Sequence, residues 1–156
     1  MEELFNAQRQ GLFAYLYRLS GDVQLAEDLL QETFERCLRH YAPKDVRPAL
    51  LYKIARNALI DARRRRCLHL VGEREGFEPA PQERALAAKQ AVAGLEAALA
   101  RLEALDREAL AFAAAGELSY AEIAGLLGLS EASLKVRIHR ARLKLRELMK
   151  ENGHAG

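Results

Sequence analysis

The sequence predicts an all-α protein, and three observations carry that expectation. Of its 156 residues, 28 are Ala and 27 are Leu, both strong helix formers. Val, Ile and Thr number ten together, too few to build a sheet. Apolar residues recur at helical spacing along most of the chain. Hydrophobic residues make up 50% and charged residues 29%. That balance fits a folded chain and argues against wholesale disorder.

The first helical pattern runs from about Glu2 to Leu19 and breaks at Ser20-Gly21-Asp22, where Asp22 can act as an N-cap. A second helix follows from about Val23 to Tyr41. Two prolines, Pro43 and Pro48, make the next stretch a loop. Ala49 to Arg66 reads as a third helix. From Cys67 the pattern fails, and Gly72, Gly76, Pro79 and Pro81 among acidic residues read as a flexible interdomain linker. Helical periodicity resumes near Gln82 and reaches Ala115, with breaks expected at Gly94 and at Leu105-Asp106, where Asp106 would cap a helix starting at Arg107. Gly116 ends that helix. A short helix over Tyr120–Leu127, a turn at Gly128-Leu129-Ser130 and a final helix over Glu131–Lys150 complete the chain, with Glu151–Gly156 expected to fray. The expected organisation is therefore two small helical domains, residues 1–66 and 100–150, joined by a linker over 67–99.

The chain carries a formal net charge of only +2, but its basic groups are concentrated. Residues 50–66 hold six basic groups against one acid, and residues 131–150 hold seven against two. Two basic helices on a near-neutral chain point to a polyanion as partner. No uncharged apolar run approaches the ~20 residues of a membrane span, so no membrane insertion is expected. The opening MEELFNAQRQ lacks the basic-then-apolar pattern of a signal peptide. Two Cys, at 37 and 67, make no disulfide framework and fit free thiols in a reducing cytoplasm. Four His and two Cys show no metal-ligand spacing, and no nucleophile or paired-carboxylate pattern occurs. No catalytic residue, metal or cofactor is expected.

The strongest local signal is at the C-terminal helix pair. Ser119 and Glu122 form an S-x-x-E capping box that starts a helix, and Gly128 can take the left-handed conformation that ends it. A basic helix follows about three residues later, which makes a helix-turn-helix. At about 100° per residue, Leu134, Ile138, Ala141, Leu145 and Leu148 form one apolar stripe. Lys135, Val136, His139 and Arg140 lie nearly opposite, where this motif meets the major groove. Arg140 can pair with guanine and Val136 can touch a thymine methyl. Arg137, Arg142, Lys144 and Arg146 spread over the flanks and suit phosphates.

The third helix places Leu51, Ile54, Ala55, Ala58, Leu59 and Ala62 inward, and Lys53, Arg56, Asn57, Ile60 and Arg64 outward. Ile60 among cations fits either a surface that meets bases and phosphates or a residue packed under the linker. On the second helix Asp28, Glu32 and Glu35 form an acidic stripe. It would repel phosphate, so it should face protein.

Three segments together resemble a family. Ala26-Glu27-Asp28-Leu29-Leu30-Gln31-Glu32-Thr33-Phe34, Leu51-Tyr52-Lys53-Ile54-Ala55-Arg56-Asn57-Ala58-Leu59-Ile60-Asp61 and Val136-Arg137-Ile138-His139-Arg140-Ala141-Arg142 look like bacterial sigma factors of the extracytoplasmic-function group. The resemblance covers about residues 4–66 and 100–149. It implies that Asp28, Leu29, Gln31, Glu32, Phe34 and Glu35 contact the clamp helices of RNA polymerase. It implies that the loop with Lys44 and Arg47 captures a base flipped from the minus-ten element. Lys53, Arg56, Asn57, Ile60, Arg63 and Arg64 would melt and hold that element. The final helix would read the minus-thirty-five element, with Ser133, Lys135, Val136, Arg137, His139, Arg140 and Arg142 at the DNA. Ser133 stands where the family often has Thr and keeps the hydroxyl. Val136 stands where Ser is frequent, which changes the base preference. The loop lacks the family's frequent Phe-Arg-Gly-like sequence. The linker would thread the RNA exit path.

The implied partners are core RNA polymerase, promoter DNA and, as often in the family, an anti-sigma factor. The rival reading is a stand-alone helix-turn-helix regulator whose N-terminal domain dimerises or senses a ligand. It would bind promoters without polymerase.

Overall fold

In the computed structural model, which describes residues 1–70, 94–95 and 97–154, the chain divides into two compact units, one within Met1–Pro81 and one within Gln82–Gly156. Among the described residues there is no strand. Most of the expected linker lies outside the described residues.

The first unit is built from α1 (Glu2–Ser20), α2 (Val23–His40) and α3 (Pro48–Leu70). Gly21, at φ 69°, ends α1 in the left-handed region that glycine enters freely, and its N–H donates to the Tyr17 carbonyl at 2.8 Å. Asp22 caps α2 by accepting from the Leu25 N–H at 3.1 Å. Tyr41 and Ala42 are extended, as the residue before Pro43 tends to be, so α2 stops one residue short of the expected Tyr41. A single 3-10 turn over Pro43–Asp45 then leads to α3. Proline fits the first position of a helix, so α3 starts at Pro48, one residue before the expected start. It also continues four residues past Arg66, through Leu70, because no glycine or proline occurs until Gly72. The linker expected from Cys67 therefore begins as helix.

The three helices pack on one another around Leu12, Tyr15 and Leu16 of α1, Ala26, Leu29 and Cys37 of α2, and Leu51, Tyr52, Ala55 and Ala58 of α3. Each fully buried Leu contributes about 2 kcal/mol relative to an exposed one. Phe5 stacks on Phe34 with centroids 4.3 Å apart, and Tyr15 meets Tyr52 edge-on at 5.6 Å.

The second unit holds a short helical stretch at 97–100, then α4 (Ala104–Ala115), α5 (Tyr120–Leu127) and α6 (Glu131–His154). Two expectations change here. Gly94 is helical rather than a break, and the break falls at 101–103. Asp106 is not a cap: Glu103 stands at that position, the Arg107 N–H bonds the Glu103 carbonyl at 2.9 Å, and Asp106 lies in the first turn. The capping box forms fully. Ser119 Oγ accepts from the Glu122 N–H at 3.1 Å, and Glu122 Oε1 accepts from the Ser119 N–H at 3.0 Å. Gly128, at φ 70°, closes α5, and Ser130 Oγ accepts from the Ser133 N–H at 3.1 Å to open α6. The last helix runs four residues beyond Lys150, to His154, where fraying was expected from Glu151. Phe112, Ile123, Leu134 and Ile138 form the centre of this core.

Candidate nucleic-acid interface

On α6 the period-3.6 pattern sorts the side chains as expected. Leu134, Ile138, Ala141 and Leu148 are buried, and Leu145 is half-buried. Lys135, Val136, His139 and Arg140 are exposed, Val136 to 50%. Ser133, Arg142, Lys144 and Arg146 are exposed beside them. Leucines facing the α4–α5 pair turn the cationic edge outward, because only one face of a helix can be buried there. Among the described residues His139, Arg140, Arg142 and Lys144 make no ion pair, whereas Lys135 lies 3.7 Å from Glu131. Arg137 differs. Its Nη1 donates to Asp106 Oδ1 at 2.7 Å and lies 3.8 Å from Glu103 Oε2. The groove between the start of α4 and α6, a cavity of about 560 Å³, has these acids on one side and Val136, Arg140 and Lys144 on the other.

The basic face of α3 is assembled differently. Lys53, Asn57, Ile60, Arg63 and Arg64 are exposed, with Ile60 at 43%, and Arg56 is half-buried. Arg63 Nη2 donates to the Leu19 carbonyl at 2.6 Å, in the last turn of α1, where a carbonyl has no helical partner. Arg64 binds Asp61 at 3.2 Å, and Asp61 also receives Arg36 of α2 at 3.3 Å. Arg36 in turn binds Glu32 at 2.6 Å, and Arg65 lies 3.9 Å from the same Glu32 oxygen. Acids and cations of α2 and α3 thus form one chain of ion pairs. Lys44 and Arg47 are exposed in the loop that leads into α3, where Val46 is buried as an anchor.

The acidic stripe of α2 is only partly open. Asp28 and Glu35 are exposed, each accepting a hydrogen bond from a glutamine one turn earlier, Gln24 and Gln31. Glu32 is half-buried in the ion-pair chain. Leu29 and Phe34 were expected as partner contacts and instead point into the core, at 2% and 7% exposure. They fall on the same helical face as Ala26, Leu30 and Cys37, a placement that a motif read as a string of letters conceals. Phe34 nevertheless borders a groove of about 880 Å³ between α1 and α2, with Arg9 over its ring at 5.2 Å. Leu38, 58% exposed, and Phe13 complete the apolar lining beside Gln31 and Glu35. Leu38 carries no motif signal, but it stands seven residues after Gln31 and so on the same face.

Burial raises the pKa of the Cys37 thiol, so this cysteine stays protonated and inert in the core, while Cys67 is exposed. Among the described residues no group of three His, Cys, Asp or Glu is placed to hold a metal, and no helix is long and apolar enough to cross a membrane.

Two family models match the chain: Sigma-70 region 2 over residues 4–67 and Sigma-70, region 4 over residues 93–145. The chain is 33% identical over 159 residues to the ECF RNA polymerase sigma factor SigM of Bacillus subtilis, covering 95% of this chain and 94% of that protein. It is 34% identical over 162 residues to the ECF RNA polymerase sigma factor SigL of Mycobacterium tuberculosis, covering 98% and 90%. Among solved structures, the sigma factor RpoE in complex with the anti-sigma factor NepR from Bartonella quintana superposes with a TM-score of 0.73 at 25% identity, over 96% of this chain and 98% of that one. CnrH in complex with the cytosolic domain of CnrY gives 0.70 at 25% identity, over 96% and 87%.

Proposed function

This chain belongs to the extracytoplasmic-function RNA polymerase sigma factors, and from that premise we propose that it binds core RNA polymerase in the cytoplasm and directs it to promoters through two DNA elements. It acts as an initiation factor rather than an enzyme. The observation that carries the reading is the exposed cluster Lys135, Val136, His139 and Arg140, set outward on the second helix of a capped helix-turn-helix. Residues 100–150 read the minus-thirty-five element through that cluster, with Ser133 and Arg142 at phosphates. Residues 1–66 hold polymerase and the minus-ten element, and residues 67–99 connect the two.

In the first unit, Asp28, Gln31, Glu32 and Glu35 meet cationic residues of polymerase, and the apolar groove with Leu38 beside them receives an apolar ridge of the same partner. Lys53, Arg56, Asn57, Ile60 and Arg64 hold the melted strand. Lys44 and Arg47 flank the base that leaves the stack. Each base-pair step resists opening by ~1.4 kcal/mol of stacking. Binding energy from the captured base, the strand phosphates and the C-terminal anchor offsets it. Polymerase holds both units near the promoter, which raises their effective concentration. The RpoE and CnrH structures each contain a bound protein partner, NepR an anti-sigma factor and CnrY through its cytosolic domain, and this chain is expected to have an anti-sigma partner too.

The stand-alone regulator loses its support, since residues 4–67 match Sigma-70 region 2 rather than a sensing or dimerising domain. The test is transcription reconstituted from core polymerase and the purified protein on a promoter library. Initiation on templates that share two elements at fixed spacing is the expected result. No initiation on any template overturns the proposal.

A further inference from the structure

We propose that Arg137 is a positioning residue, which sets the roll of the minus-thirty-five reading helix through Asp106 and does not itself hold the DNA. The proposal deepens the function proposed above and rests on it. By position Arg137 belongs with the flanking cations of α6, one residue after Val136 and three before Arg140. Its guanidinium turns the other way, to Asp106 at 2.7 Å and Glu103 at 3.8 Å. The Arg137 and Asp106 side chains keep 30% and 20% of their surface, so the pair is screened far less than an open surface pair. Asp106 lies in the first turn of α4, where the helix dipole favours a carboxylate.

The consequence is geometric. α4 and α6 pack directly, and their apolar contacts are non-directional, so they leave a helix some freedom to roll about its axis. A charge-assisted hydrogen bond at the edge of the seam is directional and removes that freedom. A roll of about 10° shifts a side-chain tip ~6 Å from the helix axis by about 1 Å. That shift spoils the alignment a bidentate Arg140–guanine contact needs.

The two roles open to Arg137 predict opposite signs at its partner. Removing an acid near a polyanion favours binding on charge alone. Removing a positioning acid weakens it. The experiment uses holoenzyme formed from core polymerase and the full chain, on a promoter recovered from the library and on the same promoter with its minus-thirty-five element randomised. The readout is the ratio of the two affinities.

Asp106→Asn and Arg137→Ala are each expected to lower that ratio about threefold to tenfold. The double variant should be no worse than the poorer single. The slope of log affinity against log salt should be unchanged in Arg137→Ala. The proposal is overturned if Asp106→Asn binds as well as the parent or better, if the two effects add, or if the Arg137→Ala slope falls by about one. It is also overturned if affinity for both promoters falls equally, which is what lost stability alone would do. Should Arg137→Ala not fold, the near-isosteric Asp106→Asn decides by its sign. Arg140→Ala run alongside separates the two levels. Element preference lost in Arg140→Ala but intact in Asp106→Asn defeats this inference alone. No element preference in the parent protein defeats the function it rests on as well.

Discussion

The basic stretches of α3 and α6, residues 50–66 and 131–150, each carry a net charge of +5, but they hold it in different states. On α3 three of the cations are engaged: Arg63 with the Leu19 carbonyl, Arg64 with Asp61, Arg65 beside Glu32. On α6, His139, Arg140, Arg142 and Lys144 make no ion pair among the described residues. A phosphate that takes Arg140 competes with water. A phosphate that takes Arg64 or Arg65 competes with a carboxylate of the same unit. Equal charge on two helices is therefore unequal affinity, and α3 depends more on what else the unit is bound to.

The largest way to break this contrast is at the acids. Asp28→Arg with Glu32→Arg should lower affinity for core polymerase by about a hundredfold or more, since like charges across an interface cost several kcal/mol. Titration of labelled protein with core polymerase measures it, and unchanged affinity would remove the acidic stripe from the interface. Next comes the unpaired edge of α6. Arg140→Ala should cut minus-thirty-five-dependent transcription by about ten- to a hundredfold, the worth of one bidentate base contact, with polymerase association intact. Loss of association instead would contradict the face assignment. The smallest effect sharpens the comparison from the other side. Asp61→Asn releases Arg64 and Arg36, so holoenzyme binding to the minus-ten element should strengthen by up to about threefold, the scale of one partly exposed pair. A loss of binding would mean that Asp61 is needed to hold α3 in place.

Much of this was legible in the sequence, for local reasons. Asp22, the Ser119–Glu122 box and Gly128 act through bonds spanning three to five residues, so their chemistry is visible in a short window. The faces of α6 followed from helical period alone. Other features are set by tertiary contact. Arg137 meets Asp106 across 31 residues and Arg63 meets Leu19 across 44, and neither spacing leaves a trace in the local pattern. An aspartate before a helical run can cap it, as the sequence suggests for Asp106, but the helix has already begun after Glu103. Leu29 faces the core because its angle on the helix, not its place in the run of letters, sets what it touches.

The bond from Arg63 to the Leu19 carbonyl gives neighbouring arginines separate fates in a genetic screen. A change at Arg63 strips a brace from the end of α1 and should surface as a heat-sensitive allele, indifferent to which promoter is tested. A change at Arg64 leaves the scaffold standing and should surface at every temperature, on the weakest promoters first.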